Sequence, residues 1–268
     1  MWHALGRLWQ HRVLVHTLVV RELKARYRGS MLGFLWSFVN PLMLLGVYTF
    51  VFTYVLIPLR GEETDPFALY LFCGLLPWTW FSGALAEAAN SLLTGGSLIK
   101  KIIFPAEVLP VVSVLSNSVN FLLGLPIYIA FWIVLKPESV SLHALWLPAV
   151  FVVQMLFTLA FALFLSALTV HYRDVRDLLA NLLTLWFFGS PVIYPLSLAE
   201  QNDPGGWAPL VLQLNPMTHI IEGYHAAIFA GEMIHWRRLG LTAVLSLVLF
   251  LAAYHFFDRL RDSFAEEV

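Results

Sequence analysis

From Ser30 to Leu59 thirty residues pass without one charge, more than the roughly 20 that a helix needs to cross a bilayer core. That run follows directly on a dense cationic cluster, Arg21, Lys24, Arg26 and Arg28. Runs of this kind, bounded by charges, prolines and glycines, recur six times, at 34–57, 67–91, 109–135, 144–170, 178–194 and 239–257. A soluble domain carries about a quarter charged residues, whereas this chain has 12% charged and 59% hydrophobic residues. Its mean hydropathy is +0.76. Water is therefore not its main solvent. The expected fold class is all-α: a polytopic membrane protein of six transmembrane helices over 34–257. An N-terminal segment, 1–33, precedes them and a short tail, 258–268, follows.

Charge placement predicts orientation, because cytoplasmic flanks of membrane helices retain Lys and Arg. With the N-terminus inside, the inner segments hold twelve of the sixteen basic residues: Arg7, Arg12, Arg21, Lys24, Arg26, Arg28, Lys100, Lys101, Arg173, Arg176, Arg259 and Arg261. The outer segments keep Arg60, Lys136, Arg237 and Arg238. Both termini are expected in the cytoplasm. The net charge of -1 is neutral on nucleic acid, and the segregation points to a membrane, so no nucleic-acid partner is expected. Cys73 is the single cysteine, which excludes a disulfide framework or a thiolate zinc cluster. The basic region extends to Arg28 and the next apolar run is too long for a signal-peptide core, so no cleaved leader is expected.

Before the first run, Trp2, Leu5, Trp9 and Val13 recur at helical spacing, and Arg7, Arg21 and Arg28 are whole heptads apart. This predicts an amphipathic helix lying in the membrane surface, binding anionic headgroups. Two readings stand for it, an anchor that fixes topology and a docking surface. Gly29 and Gly33 make a GxxxG at the turn into the bilayer, read as a corner rather than a helix contact. Between the fifth and sixth runs, 195–238 is too interrupted by proline and glycine to span and too apolar to be a free loop.

Phosphate-cradling machinery is missing: there is no GxxxxGK[ST], and "LTGGSLIKK" has neither the spacing nor the strand. HExxH and GxSxG are also absent. In "HIIEGYH", His219, Glu222 and His225 fan over about 120° of a helix, a set that suits interfacial hydrogen bonding better than catalysis. No metal site is expected. Polar stripes inside the runs say more, since each amide or hydroxyl in hydrocarbon needs a partner or a wet face. Ser113, Ser116, Asn117 and Asn120 form a seam suited to interhelical hydrogen bonds. Ser37, Asn40 and Tyr48 lie within about 80° of one another, as do Asn181, Thr184 and Phe188. Amides, hydroxyls and aromatic rings together suit a conduit for sugars, so these six are channel-lining candidates. Glu87, near the inner edge of the second run, is expected to reach water or to pair with Lys100 or Lys101. The piece from Leu98 to Phe104 reads equally as a short helix that pushes on a partner and as a plain connector.

The segments "RELKARYRGSMLGFLWSFVNPL", "KKIIFPAEVLP", "HYRDVRDLL", "SPVIYP" and "NPMTHIIEGYH" resemble, in order and spacing, the permease subunits of type-2 ABC transporters that export polysaccharides. The capsular polysaccharide group is the most similar. The resemblance implies a homodimer, bound to two copies of a separate ATPase subunit, that moves a lipid-linked acidic capsular polysaccharide across the bacterial inner membrane. It implies no cofactor on this chain, ATP and Mg being used by the partner, and no enzymatic activity of its own. A periplasmic or outer-membrane export partner is left open. By the same resemblance Leu98, Lys100, Lys101, Phe104, Pro105 and Glu107 belong to the loop that couples to the ATPase. Arg21, Lys24, Arg26 and Arg28 lie on the interface helix where substrate enters, and 195–238 forms re-entrant gate helices with Tyr194, His219, Glu222 and His225 at the outer gate. Relatives often carry arginine where this chain has His225, so a charge-dependent role there does not carry over. The alternatives are a permease for O-antigen or teichoic-acid-type glycans and, from another class, a membrane glycan-processing enzyme dependent on Glu222 or His225.

Overall fold

A computed structural model describes residues 10–29, 31–51, 64–100 and 104–267. Every regular element among them is helical. In chain order these are α1 (Arg12–Tyr27), α2 (Trp36–Phe50), α3 (Phe67–Thr94), α4 (Gly96–Ile99), α5 (Val108–Leu135) and α6 (Leu147–His171). They are followed by α7 (Val175–Phe188), α8 (Leu196–Asn202), α9 (Trp207–Leu214), α10 (Pro216–His225), α11 (Trp236–Leu260) and α12 (Phe264–Glu267). Among the described residues four helical stretches are long and apolar enough to cross a membrane: Phe67–Thr94, Val108–Leu135, Leu142–His171 and Trp236–Ser263.

Helix α3 is the axis of the body, packed against α5, α6, α7 and α10. Hydrocarbon is as apolar as leucine, so what draws helices together in lipid is packing and interhelical hydrogen bonding. Aromatic rings supply much of it here. Trp80 stacks on Phe151 at 4.8 Å between centroids and meets Phe121 at 5.2 Å. Phe81 stacks on Phe157 at 5.6 Å and takes the edge of Trp186 at 5.1 Å. Polar links fix the register: the Trp80 Nε1–H donates to the Val114 carbonyl at 3.2 Å, and the Gln154 amide to the Pro77 carbonyl at 2.7 Å.

The first expected run, 34–57, is a short 3-10 turn and helix α2, with 52–63 outside the described residues. The corner before it contains Gly29 (φ +79) and Gly33 (φ +50), and nothing approaches within 4 Å of where a Cβ would sit on either. It is a turn, not a helix contact. The fifth run differs from its expectation, 178–194. Helix α7 has 14 residues, about 21 Å at 1.5 Å per residue against a core of about 30 Å. It stops because the chain turns at Gly189 and Ser190, where the Asn215 side-chain amide holds the Gly189 carbonyl at 2.7 Å and the Ser190 hydroxyl at 2.9 Å. The interrupted 195–238 segment is ordered as the short helices α8, α9 and α10, the last widening into a π-turn over Ala226–Ala230 that Gly231 (φ +68) ends.

Two ends result. One gathers α1, α4, the start of α5 and α12, with Leu92, Ala106, Val170, Phe257 and Phe264 in one cluster and the His171 ring joined to the Ser263 hydroxyl at 3.1 Å. It carries most of the basic residues. The far end joins 136–146 to 228–236: Trp146 meets Trp236 edge-on at 4.7 Å, and the Lys136 ammonium lies 3.8 Å from the Phe229 ring centroid.

Candidate functional site

Helix α1 packs on α5 through Leu14, Val15, Leu18 and Val19 against Val108 and Val112. Of the expected apolar stripe, Trp2, Leu5 and Trp9 lie outside the described residues, as does Arg7, and Val13 points away at 72% exposure. The i, i+4 pair Leu14 and Leu18 makes the contact instead. Arg21, Lys24 and Arg28 are exposed, while Arg26 is half-buried because it turns inward.

Its partner is Glu87. Arg26 Nη2 donates to Glu87 Oε1 at 2.6 Å, and Asn117 Nδ2 donates to Oε2 at 2.6 Å and to the Ser113 carbonyl at 2.9 Å. Of the two expectations for Glu87, the reach to water is met, its side chain being 39% exposed, and its cation is Arg26 rather than Lys100. Glu87 sits two turns up from the end of α3, where α1 crosses, whereas Lys100 is exposed beyond the Gly95 turn and Lys101 is outside the described residues. The expected interhelical role of the Ser113–Asn120 seam is met at Asn117.

Two hollows adjoin this cluster. A groove of about 460 Å³ runs between α2, α3 and α5, walled by Trp36, Asn40, Trp80, Asn117, Asn120 and Phe121, with Arg26 at its base. A cleft of about 590 Å³ lies under α1 beside α4, lined by Arg21, Glu22, Glu87, Asn90, Ser91, Thr94, Leu98 and Ser113. The groove pairs aromatic faces with amides, the chemistry that sugar rings and their hydroxyls require.

Of the six channel candidates Asn40 lines this groove; Ser37 and Tyr48 are on α2, but their side chains are not described. Asn181, Thr184 and Phe188 are exposed on α7 and do not line it within one chain. The Asn181 amide and the Thr184 hydroxyl bond the backbone of their own helix, at Asp177 and Ala180. In the segment expected to couple to an ATPase, Leu98 borders the cleft, Lys100 is exposed, and Phe104 is half-buried between two apolar clusters. Pro105 is buried, and Glu107 is only 3% exposed with no hydrogen-bond partner for its carboxylate among the described residues.

The "HIIEGYH" fan does not converge. His219 Nε2 donates to the Gln213 carbonyl at 2.8 Å while its Nδ1 lies 3.6 Å from Glu222, which Arg238 also approaches at 3.6 Å. His225 turns into the core, stacks on Tyr70 at 4.0 Å and donates from Nε2 to the Tyr70 carbonyl at 3.1 Å. Among the described residues no group of three His, Cys, Asp or Glu side chains is placed to hold a metal. The Tyr194 hydroxyl donates to the Phe188 carbonyl at 2.6 Å.

Sequence reasoning missed Asn215. Its carbonyl oxygen accepts from Trp186 Nε1 and from the Met217 backbone N–H, both at 3.0 Å, while its amide holds Gly189 and Ser190. The signal was there, since asparagine followed by proline is an N-cap followed by the residue best suited to a first helical position. Trp36, Trp80 and Phe121 were missed because the groove's aromatic wall comes from three separate helices.

Comparison with known proteins agrees with this architecture. The family model described as "ABC-2 type transporter" matches residues 13–229. An O-antigen export system permease protein RfbA of Myxococcus xanthus is 39% identical over 100% of both chains. A protein of the same name from Klebsiella pneumoniae is 27% identical over 99% of this chain and 98% of its own. The polysialic acid transport protein KpsM of Escherichia coli is 24% identical over 91% of this chain and 93% of its own. With the family model matching most of its length, and helices long enough to cross a bilayer at its centre, the chain belongs to the ABC-2 type transporter family.

Proposed function

We propose that this chain is the membrane-spanning subunit of an ATP-driven exporter that moves a lipid-linked polysaccharide across the inner membrane. The observation that carries the reading is the groove of tryptophan, phenylalanine and asparagine side chains between α2, α3 and α5, in a chain similar throughout to permeases named for glycan polymers. O-antigen is the named cargo of the more similar relatives and polysialic acid that of the less similar one, which supports a polysaccharide and weighs against restricting it to capsule. In this reading α2 and α7 complete a six-span body, both termini are cytoplasmic, and α8 to α10 re-enter at the outer face. Tyr194, His219, Glu222 and His225 shape that outer gate, His225 as a buried ring stacked on Tyr70. Two subunits join two copies of an ATPase that binds ATP and Mg and engages the segment from Leu98 to Glu107.

Surface glycan in the native host, measured by immunoblot after replacing the chain with Asn40→Leu/Trp36→Ala, tests it. The expected result is glycan trapped inside with the protein still in the membrane. Undiminished surface glycan would remove the groove as the conduit. Failure of any ATPase to co-purify would overturn the exporter reading itself.

A further inference from the structure

The groove and the cleft meet at one cluster. Arg26 and Asn117 line the groove, while Glu87 and Ser113 line the cleft. The Glu87 carboxylate is gripped at both oxygens, by Arg26 Nη2 and by Asn117 Nδ2, each at 2.6 Å. These three side chains thus form a wall shared by the two hollows. Separate donors converging on the two oxygens of one carboxylate would grip a phosphate in the same way, since guanidinium and amide N–H groups serve either oxyanion. The grip is accessible: the Arg26 and Glu87 side chains keep 25% and 39% of their surface exposed.

The geometry points to a phosphate-binding site made by Arg26 and Asn117 that Glu87 occupies from within. An arriving anion takes the two donors from the carboxylate, and the displaced Glu87 no longer ties α1 to α3. The surroundings define the ligand. On the groove side Leu44, Leu75 and Leu76 stand with Asn40 and Asn120; on the cleft side Asn90, Ser91 and Thr94 stand with Leu98, Leu109 and Val112. Each wall thus offers both apolar and polar side chains, so a phosphate within a larger amphiphile finds partners beyond the two donors, and a free phosphate fits only the centre. Glu87 then acts as a selectivity element, since a neutral amphiphile lacks the charge that displaces it. The inference rests on the exporter reading only for which phosphate is met in the cell.

The test uses the purified full chain in phosphatidylcholine nanodiscs. Phosphatidic acid doped into the bilayer is one probe and inorganic pyrophosphate in the buffer the other, with bound ligand counted by native mass spectrometry. Glu87→Gln removes the internal competitor and is expected to half-saturate at about tenfold lower phosphatidic acid, some 1.4 kcal/mol. Glu87→Asp should fall between it and wild type, and Arg26→Gln should lose the ligand. If pyrophosphate follows this order and phosphatidic acid does not, the oxyanion site stands with a soluble ligand. If Glu87→Gln binds neither probe more tightly than wild type, or Arg26→Gln binds as wild type does, the inference falls and general attraction by Arg21, Lys24 and Arg28 replaces it. Should Glu87→Gln misfold, seen as a lowered thermal midpoint, Glu87→Asp carries the test alone. No glycan enters the measurement, so equal binding by all variants sinks the oxyanion site and leaves the export reading untouched.

Discussion

The two ends of the helical body are held together by different forces. At the far end, side chains grip backbone carbonyls: Ser141 Oγ and His143 Nδ1 both donate to the Gly231 carbonyl, at 2.8 and 2.9 Å, and the Tyr128 hydroxyl to the Ile228 carbonyl at 2.9 Å. Asn215 adds four hydrogen bonds at the turn from α7 to α10: its amide holds the Gly189 carbonyl and the Ser190 hydroxyl, and its oxygen accepts from Trp186 Nε1 and the Met217 N–H. At the cation-rich end, the contacts that dock α1 among the described residues include an aliphatic cluster on α5 and a part-exposed ion pair. A buried group left without its partner costs about 1–3 kcal/mol, whereas an exposed ion pair is worth about 0–1 kcal/mol. The far end is therefore a rigid frame, and the other end is where an element shifts at least cost.

The comparison breaks most visibly at Gly231. Its φ of +68 is strained for any side chain, and an added Cβ would run into the Ser139 carbonyl. Gly231→Ala should cost about 2–4 kcal/mol and lower the thermal midpoint in detergent by roughly 10 °C. Asn215→Ala comes next, at about 2–3 kcal/mol, because it strands the Gly189 carbonyl, the Trp186 indole N–H and the first turn of α10. An unchanged midpoint in either variant would mean that the far end is not the frame.

Much of this frame's outline was legible in the sequence. The four long runs were placed within about three residues of their helix ends, because a charge-free stretch long enough for a bilayer leaves little freedom. The fifth was overextended, since hydropathy continues past Phe188 while the turn at Gly189 and Ser190 stops the helix. The site was less legible. Helical spacing found the Ser113–Asn120 seam but could not say which helix it faced. Arg26 groups with Arg21, Lys24 and Arg28 on the interface helix and is not singled out, because its partner lies 61 residues away in the chain. Asn40 was found, but the Trp36, Trp80 and Phe121 walls required three helices to come together.

A smaller effect sharpens the comparison at one bond. Tyr128→Phe keeps the ring against Phe72, 6.1 Å away between centroids, and removes only the hydroxyl that satisfies the Ile228 carbonyl. The expected loss is about 1–2 kcal/mol, read as a midpoint shift of a few degrees and as faster amide exchange confined to 226–232. Exchange that rises along the whole of α5 instead would show that the bond braces the helix rather than the π-turn.

The smallest global effect is expected at Arg26→Gln, and it separates the two ends most cleanly. Both partners are part-exposed, the pair is screened by water, and Glu87 keeps its bond from Asn117, so the loss should stay below about 1 kcal/mol. The thermal midpoint should then move by no more than about 4 °C. The local consequence is larger in proportion, because the cluster of Leu14, Val15, Leu18 and Val19 on α5 then carries more of the docking of α1. Amide exchange along Arg12–Tyr27 should therefore quicken by up to about fivefold, the factor that 1 kcal/mol corresponds to, with α3 and α6 unchanged. If Arg26→Gln instead lowers the midpoint as far as Asn215→Ala does, the ion pair is part of the frame, and the contrast between a clamped end and a movable one does not hold.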